Sequence, residues 1–143
     1  LFAQSDALKG VDGIAFGGDG TLYINNIMTN ALERVDRTAD GGFAGLTNLA
    51  VVTPLNGPDG LRSIGGNRFL QAEGPAGRIA LLTIDGDRVR LVPVKTGVVG
   101  SASMTIVGDV GYALESKLGY LMDPALHGKD PGQFALRAFA FGD

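Results

Sequence analysis

Asp12 and Asp59 are the residues of this chain best placed to do chemistry. Each stands before a glycine and a branched apolar residue, in Asp12-Gly13-Ile14 and Pro58-Asp59-Gly60-Leu61. Each phrase runs on into a Gly-rich turn and a second apolar run, Thr21-Leu22-Tyr23-Ile24 and Arg68-Phe69-Leu70. A worn third copy reads Ser101-Ala102-Ser103-Met104-Thr105-Ile106, with Ala102 where the aspartates stood. If equivalent positions converge in space, the two carboxylates approach and repel. One must then take up a proton, or a cation must sit between them. Hard oxygen donors suit Ca²⁺, Mg²⁺ or Mn²⁺, and Zn²⁺ is compatible. Such an ion polarises a carbonyl and acidifies a bound water, whose proton Asp59 could then accept as a general base. A plainer reading stands beside this one. Asp before Gly is a common turn pair whose side chain caps local backbone N–H groups.

The elements that must position these residues follow from the repeat. Its spacing, roughly 40–50 residues, is that of a β-propeller blade. Short apolar runs separated by turns place strands at 13–16, 21–25, 31–35 and 49–53, then at 60–64, 68–71, 78–84 and 88–94. A third set falls at 103–107, 111–114, 119–122 and 134–141. Asp85-Gly86 between two apolar runs is a strong hairpin signal. The best helical candidate, 6–8, is too short to matter, and no long segment has a 3.6-residue apolar period. The expected fold class is all-β: one propeller segment, 1–143, of three four-stranded blades at about 10–56, 57–99 and 100–143. The chain enters its first blade with no lead-in element. Propellers close with four to eight blades, and three leave open sheet faces and edges. The expectation is therefore half of a six-bladed ring. A second copy, another chain or a further segment would complete it; the alternative is a complete small β-domain of another shape.

Composition narrows the function classes. The chain has 143 residues, 45% hydrophobic and 19% charged, which favours a folded domain over disorder. Its 23 glycines are spread over turn positions. A net charge of −3 without a Lys/Arg cluster argues against nucleic acid and anionic membranes as partners. No apolar stretch approaches the ~18 residues of a membrane span. No signal peptide is visible, though a processed one leaves no trace. The absence of cysteine fits a reducing compartment and also many exported bacterial proteins. The expectation is a soluble protein of the bacterial cytoplasm or periplasm.

Other polar residues are candidates of a second kind. Asn25, Asn26, Glu73 and Glu115 end strands at loosely equivalent places, where they either line a funnel and touch substrate or simply terminate strands. Arg62, three residues after Asp59, could bind an anionic substrate or form an inter-blade contact. His127 is the only histidine and lies in a Gly, Asp and Pro loop, so no Ser/His/Asp triad can be argued. Gly17-Gly18-Asp19-Gly20 reads as a hairpin turn, since no helix follows it as a phosphate loop requires. Asp19 and Asp40 read as solvated turn residues.

These residues also carry a family likeness. The repeated Asp-Gly-[Ile/Leu] phrase, with Asp19-Gly20-Thr21-Leu22-Tyr23 after it, resembles the six-bladed propellers of the regucalcin/gluconolactonase-like family. So does Leu118-Gly119-Tyr120-Leu121-Met122-Asp123-Pro124, and Gly128-Lys129-Asp130-Pro131-Gly132-Gln133-Phe134 is similar to the ending of bacterial sugar-lactone lactonases. The likeness runs over essentially the whole chain and corresponds to the C-terminal half of a family member. It implies one divalent cation at the channel mouth, with Asp12 and Asp59 as ligands and Asp59 also as general base. The family's N-terminal glutamate ligand and most of its substrate contacts have no counterpart here. The implied activity is metal-dependent hydrolysis of a sugar lactone or similar ester once the ring is completed. The alternative is a non-catalytic propeller module for binding or scaffolding.

Overall fold

Each of the three repeated phrases begins the innermost strand of its own antiparallel sheet in the computed structural model, which describes residues 1–142. The first sheet is a meander of β1 (Val11–Phe16), β2 (Leu22–Asn26), β3 (Ala31–Arg37) and β4 (Phe43–Asn48). The second runs from β6 (Pro58–Ser63) through β7 (Arg68–Glu73) and β8 (Arg78–Asp85) to β9 (Arg88–Thr96), and β5 (Ala50–Val51) adds to its outer edge. The third has β10 (Ser101–Val107), β11 (Val110–Glu115) and β12 (Ala135–Ala140). The architecture is all-β and is that of a partial propeller. Among the described residues no helix is long and apolar enough to cross a membrane.

Two expected strands are corrected. The outer strand of the first sheet is Phe43–Asn48, and within 49–53 only Ala50–Val51 is a strand, paired in parallel with β9 of the next sheet. The shift comes from an irregular register between Asp36 and Arg37, opposite Gly45, which breaks the alternation on which a strand reading depends. Phe43 and Leu46 then cover Leu22, Ile24 and Val35. The second correction is in the third sheet. Gly119–Met122 forms one helical turn, α1, and not a strand, so this sheet has three strands among the described residues. Leu118–Met122 has no β-branched residue, and Leu and Met favour helix. Asp123 then accepts from the Ala125 N–H (2.8 Å) and starts a 3₁₀ turn at Pro124–Leu126.

The lead-in also differs from expectation. Asp6–Leu8 forms a 3₁₀ turn capped by Ser5, and Leu8 packs on the first sheet. By the register of the repeat Leu8 matches Leu55 and Val98, the buried connector residues before the second and third sheets. Two residues on, Gly10, Gly57 and Gly100 all have positive φ, at 85°, 62° and 60°. That conformation suits only glycine well, so the repeat extends four residues further back than its Asp-Gly core.

Apolar faces hold the sheets together. Tyr23, Leu32 and Leu49 meet Leu61, Phe69, Ala80 and Leu82 between the first and second, with Tyr23 edge-on to Phe69 at 5.2 Å. Leu70, Ala72 and Ile79 meet Met104, Ala113 and Phe139 between the second and third. At the inner edge the backbones nearly touch. A Cβ at Gly13 would collide with the Asp59 carbonyl and lie 2.7 Å from the Leu61 nitrogen. A Cβ at Gly60 would lie 2.7 Å from the Ala102 carbonyl. The glycine of the repeated phrase is thus a packing requirement between successive inner strands.

Candidate functional site

The aspartates owe their placement to a bulge. On β1 and β2, Val11 pairs with Asn26 and Ile14 with Ile24, so the inner strand carries one extra residue. On β6 and β7, Pro58 pairs with Glu73 and Leu61 with Gln71, with the same excess. The third sheet repeats it between Ser101 and Ser103. Such a bulge bends the strand and re-aims a side chain, and in each case the phrase of interest occupies it.

The two bulges lie side by side, since β1 and β6 adjoin. Asp12 is exposed and Asp59 is half-buried. Burial, and then the neighbouring charge of Asp12, push the Asp59 carboxyl up to about 6, against a smaller opposing effect of the Gly60 N–H. The two aspartates thus stand on adjoining inner strands, with Gly13 against the Asp59 carbonyl and the charge of Asp12 felt at Asp59. Ala102 leaves the third bulge without a carboxylate.

Beneath the pair runs a chain of buried amides. The Gly13 N–H donates to Asn25 Oδ1 (2.7 Å). Asn25 Nδ2 donates to the Asp59 carbonyl (2.5 Å) and to Gln71 Oε1 (3.2 Å). Gln71 Nε2 donates to Glu73 Oε1 (3.3 Å), and Glu73 Oε2 accepts from the Asn56 N–H (2.8 Å) and from Arg78 (2.7 Å). Asn25 and Glu73, expected among the substrate contacts, are thus fully buried and bonded inside the protein. Asn26 is also buried: its Oδ1 accepts from the Met28 and Thr29 N–H groups, and its Nδ2 donates to the Lys9 carbonyl. These three close strand ends and do not line a funnel. Glu115 does the same with Arg137 (2.9 Å). Arg62 is exposed and donates to Thr105 Oγ1 on β10 (3.2 Å), an inter-sheet hydrogen bond. His127 is exposed, with Nε2 3.1 Å from the Leu121 carbonyl.

Sequence reasoning missed Gln71 and the packing role of Gly13 and Gly60. Gln71 carried one signal, a polar residue within the apolar run Phe69-Leu70-Gln71-Ala72. Among the described residues no group of three or more His, Cys, Asp or Glu side chains could hold a metal. The pair Asp12 and Asp59 is what the chain brings together.

No family model matches the chain. No curated protein matches it either. Solved structures do. A luciferin-regenerating enzyme superposes with a TM-score of 0.65 at 16% identity, over 92% of this chain and 45% of that one. A candidate 6-phosphogluconolactonase from Bacteroides uniformis gives 0.63 at 15% identity, over 98% and 40%. Virginiamycin B lyase from Staphylococcus aureus gives 0.58 at 22% identity, over 78% and 36%. The chain therefore spans less than half the length of each of these propellers. At such identities the likeness concerns the fold, and the fold it shows is a β-propeller of which this chain forms part.

Proposed function

We propose that this chain carries one side of a propeller active site that hydrolyses a sugar lactone or similar ester with the help of a divalent metal. The observation that carries the reading is the lifted Asp59 carboxyl beside Asp12. The donor chemistry suits a hard cation such as Ca²⁺, Mg²⁺ or Mn²⁺, because two adjacent carboxylates repel until positive charge lies near them. Asp12 and Asp59 would hold it from this side, and its other ligands would come from water and from the blades that complete the ring. When bound, the ion supplies Lewis-acid polarisation of the ester carbonyl. The Asp59 carboxylate would take a proton from the attacking water. Asn25 holds the Asp59 backbone in place, and burial of that carboxylate raises its basicity.

The experiment is lactone turnover by the ring-complete assembly with added Ca²⁺, Mn²⁺, Mg²⁺ or Zn²⁺. Asp59→Asn is expected to lower kcat by about 10²–10⁴, the usual weight of a general base. Undiminished turnover in that variant overturns the role of Asp59. One observation favours the binding or scaffold reading instead: no third ligating side chain joins the pair among the described residues. An assembly that takes up no divalent ion by calorimetry and turns over no lactone would establish that second reading.

A further inference from the structure

Arg62 is the only basic residue on the three inner strands, Val11–Phe16, Pro58–Ser63 and Ser101–Val107. In a propeller such strands surround the central channel. The register makes Ala15, Arg62 and Thr105 equivalent, opposite Tyr23, Leu70 and Tyr112. Leu70, opposite Arg62, packs with Met104 between the second and third sheets. Met104 therefore faces the second sheet, and its neighbour Thr105 lies on the far side of β10. To reach Thr105 Oγ1 at 3.2 Å, the Arg62 guanidinium crosses the edge of β10 that has no hydrogen-bonded neighbour. It is thus laid over the channel side of the third inner strand, and it stays exposed. The equivalent residue of the first sheet is Ala15, so the repeat itself requires no long polar side chain at this position.

The charge of Arg62 is not matched within the protein. Among the described residues no carboxylate makes an ion pair with it, and the groups that act on Asp59 include no cation. Its one hydrogen bond goes to a neutral hydroxyl, which leaves four of its five N–H donors. Thr105, having accepted there, keeps its own O–H to donate. Ser103, exposed on the same strand, adds a second hydroxyl: a Cβ at Gly60 would lie 3.4 Å from its Oγ, so it stands beside the residue that follows Asp59. A guanidinium fork with free donors matches the oxygens of a carboxylate or a phosphate.

We infer that Arg62, steadied by Thr105, binds an oxyanion of the substrate, so that the lactones taken are those that carry a carboxylate or a phosphate. This rests on the lactone reading proposed above and deepens it. The two ends of such a substrate are told apart by charge. Asp12 and Asp59 give the mouth a negative field, and Arg62 stands up to about 10 Å further along the same strand as Asp59. An acidic group is drawn to the guanidinium and away from the carboxylates. The lactone carbonyl is then left at the mouth, beside Asp59.

The test is turnover of three lactones by the ring-complete assembly with added divalent ion: one neutral, one bearing a carboxylate and one bearing a phosphate. Wild type is expected to prefer an acidic lactone in kcat/KM, and the better of the two acidic lactones shows which oxyanion the site takes. Arg62→Gln should lower that preference by about 10–100-fold, the weight of hydrogen bonds to a charged group, through KM and not kcat. Arg62→Lys keeps the charge without the fork and should fall between the two. Thr105→Val should also weaken the preference, because it releases the guanidinium. Arg62 and Thr105 are exposed, so all three variants should keep the β-sheet spectrum in circular dichroism. A wild type that prefers the neutral lactone overturns the inference, as does a preference that Arg62→Gln leaves as it was. An assembly that turns over no lactone counts against the proposed function alone. Inorganic phosphate then reads the subsite by calorimetry: binding lost in Arg62→Gln upholds the oxyanion site, and binding equal in the two proteins, or absent from both, overturns it.

Discussion

The side-chain amide of Asn25 joins the first sheet to the second by donating to the backbone carbonyl of Asp59 while it accepts from the N–H of Gly13. One buried residue therefore fixes both bulges that present the carboxylates. Their separation is set by this amide as much as by the strands.

Asn25→Leu keeps the volume and removes the bonds. It would leave the Gly13 N–H, the Asp59 carbonyl and Gln71 Oε1 without the partner they have now. Each buried polar group left unmade costs roughly 1–3 kcal/mol, less where water can reach it. The expected loss of stability is about 2–4 kcal/mol, read from urea denaturation of wild type and variant. A loss under about half a kcal/mol would show that the joint does not depend on this amide.

Gly13→Ala and Gly60→Ala test the close approach of the inner strands. At both positions the added methyl meets backbone atoms of the next inner strand, which cannot rotate away. Overpacking of this kind costs roughly 1–3 kcal/mol. Gly42→Ala is the control: its Cβ would meet only the side chains of Thr38, at 3.0 Å, and Asp40. Thermal unfolding should rank Gly13 and Gly60 well below it in tolerance.

These residues show how much of the molecule is legible in the sequence. The Asp-Gly phrase is legible because side-chain identity repeats, and its spacing gives the sheets and the pairing of Asp12 with Asp59. The bonds of Asn25 are not legible, because two of its three partners are backbone atoms, one in a different sheet. The outer strand at Phe43 is hidden by a bulge at Gly45, whose φ of 154° departs from the alternating pattern. The helical turn at Gly119–Met122 is hidden because four apolar or small residues read equally well as a short strand.

Glu73 and Arg78 make a buried ion pair at 2.7 Å, with the carboxylate fully inaccessible. Removing one partner strands the other, so Arg78→Met should cost about 3–5 kcal/mol. The double variant Glu73→Gln/Arg78→Met should recover much of that loss, because no isolated charge remains. Chemical denaturation of the wild type, of Glu73→Gln and Arg78→Met singly and of the double variant gives the coupling energy. Equal stability of Arg78→Met and the double variant would show that water or another cation already compensates Glu73.

The carboxyl of Asp59 makes stability depend on pH with a definite sign. Its folded value, about 6, lies above the ordinary 3.8 because burial and the Asp12 charge disfavour the ionised form. The folded state therefore holds this proton more tightly than the unfolded chain. Its contribution is favourable and fully present below pH 4, is lost as pH rises from 4 to 6, and is gone above 6. The group is only half-buried, so solvent screening reduces the change to roughly 1 kcal/mol. Asp59→Asn removes the penalty of holding a charge there. It should stabilise the protein by about that amount at pH 7 and by much less at pH 4, in urea midpoints measured across this range. Asp12→Asn should lower the Asp59 value and shift the same transition toward acid, because it takes away the second cause of the rise. A gain in Asp59→Asn that is the same at pH 4 and pH 7 would mean that the folded protein does not strain this carboxylate, and the proton-accepting role built on that strain would fall with it.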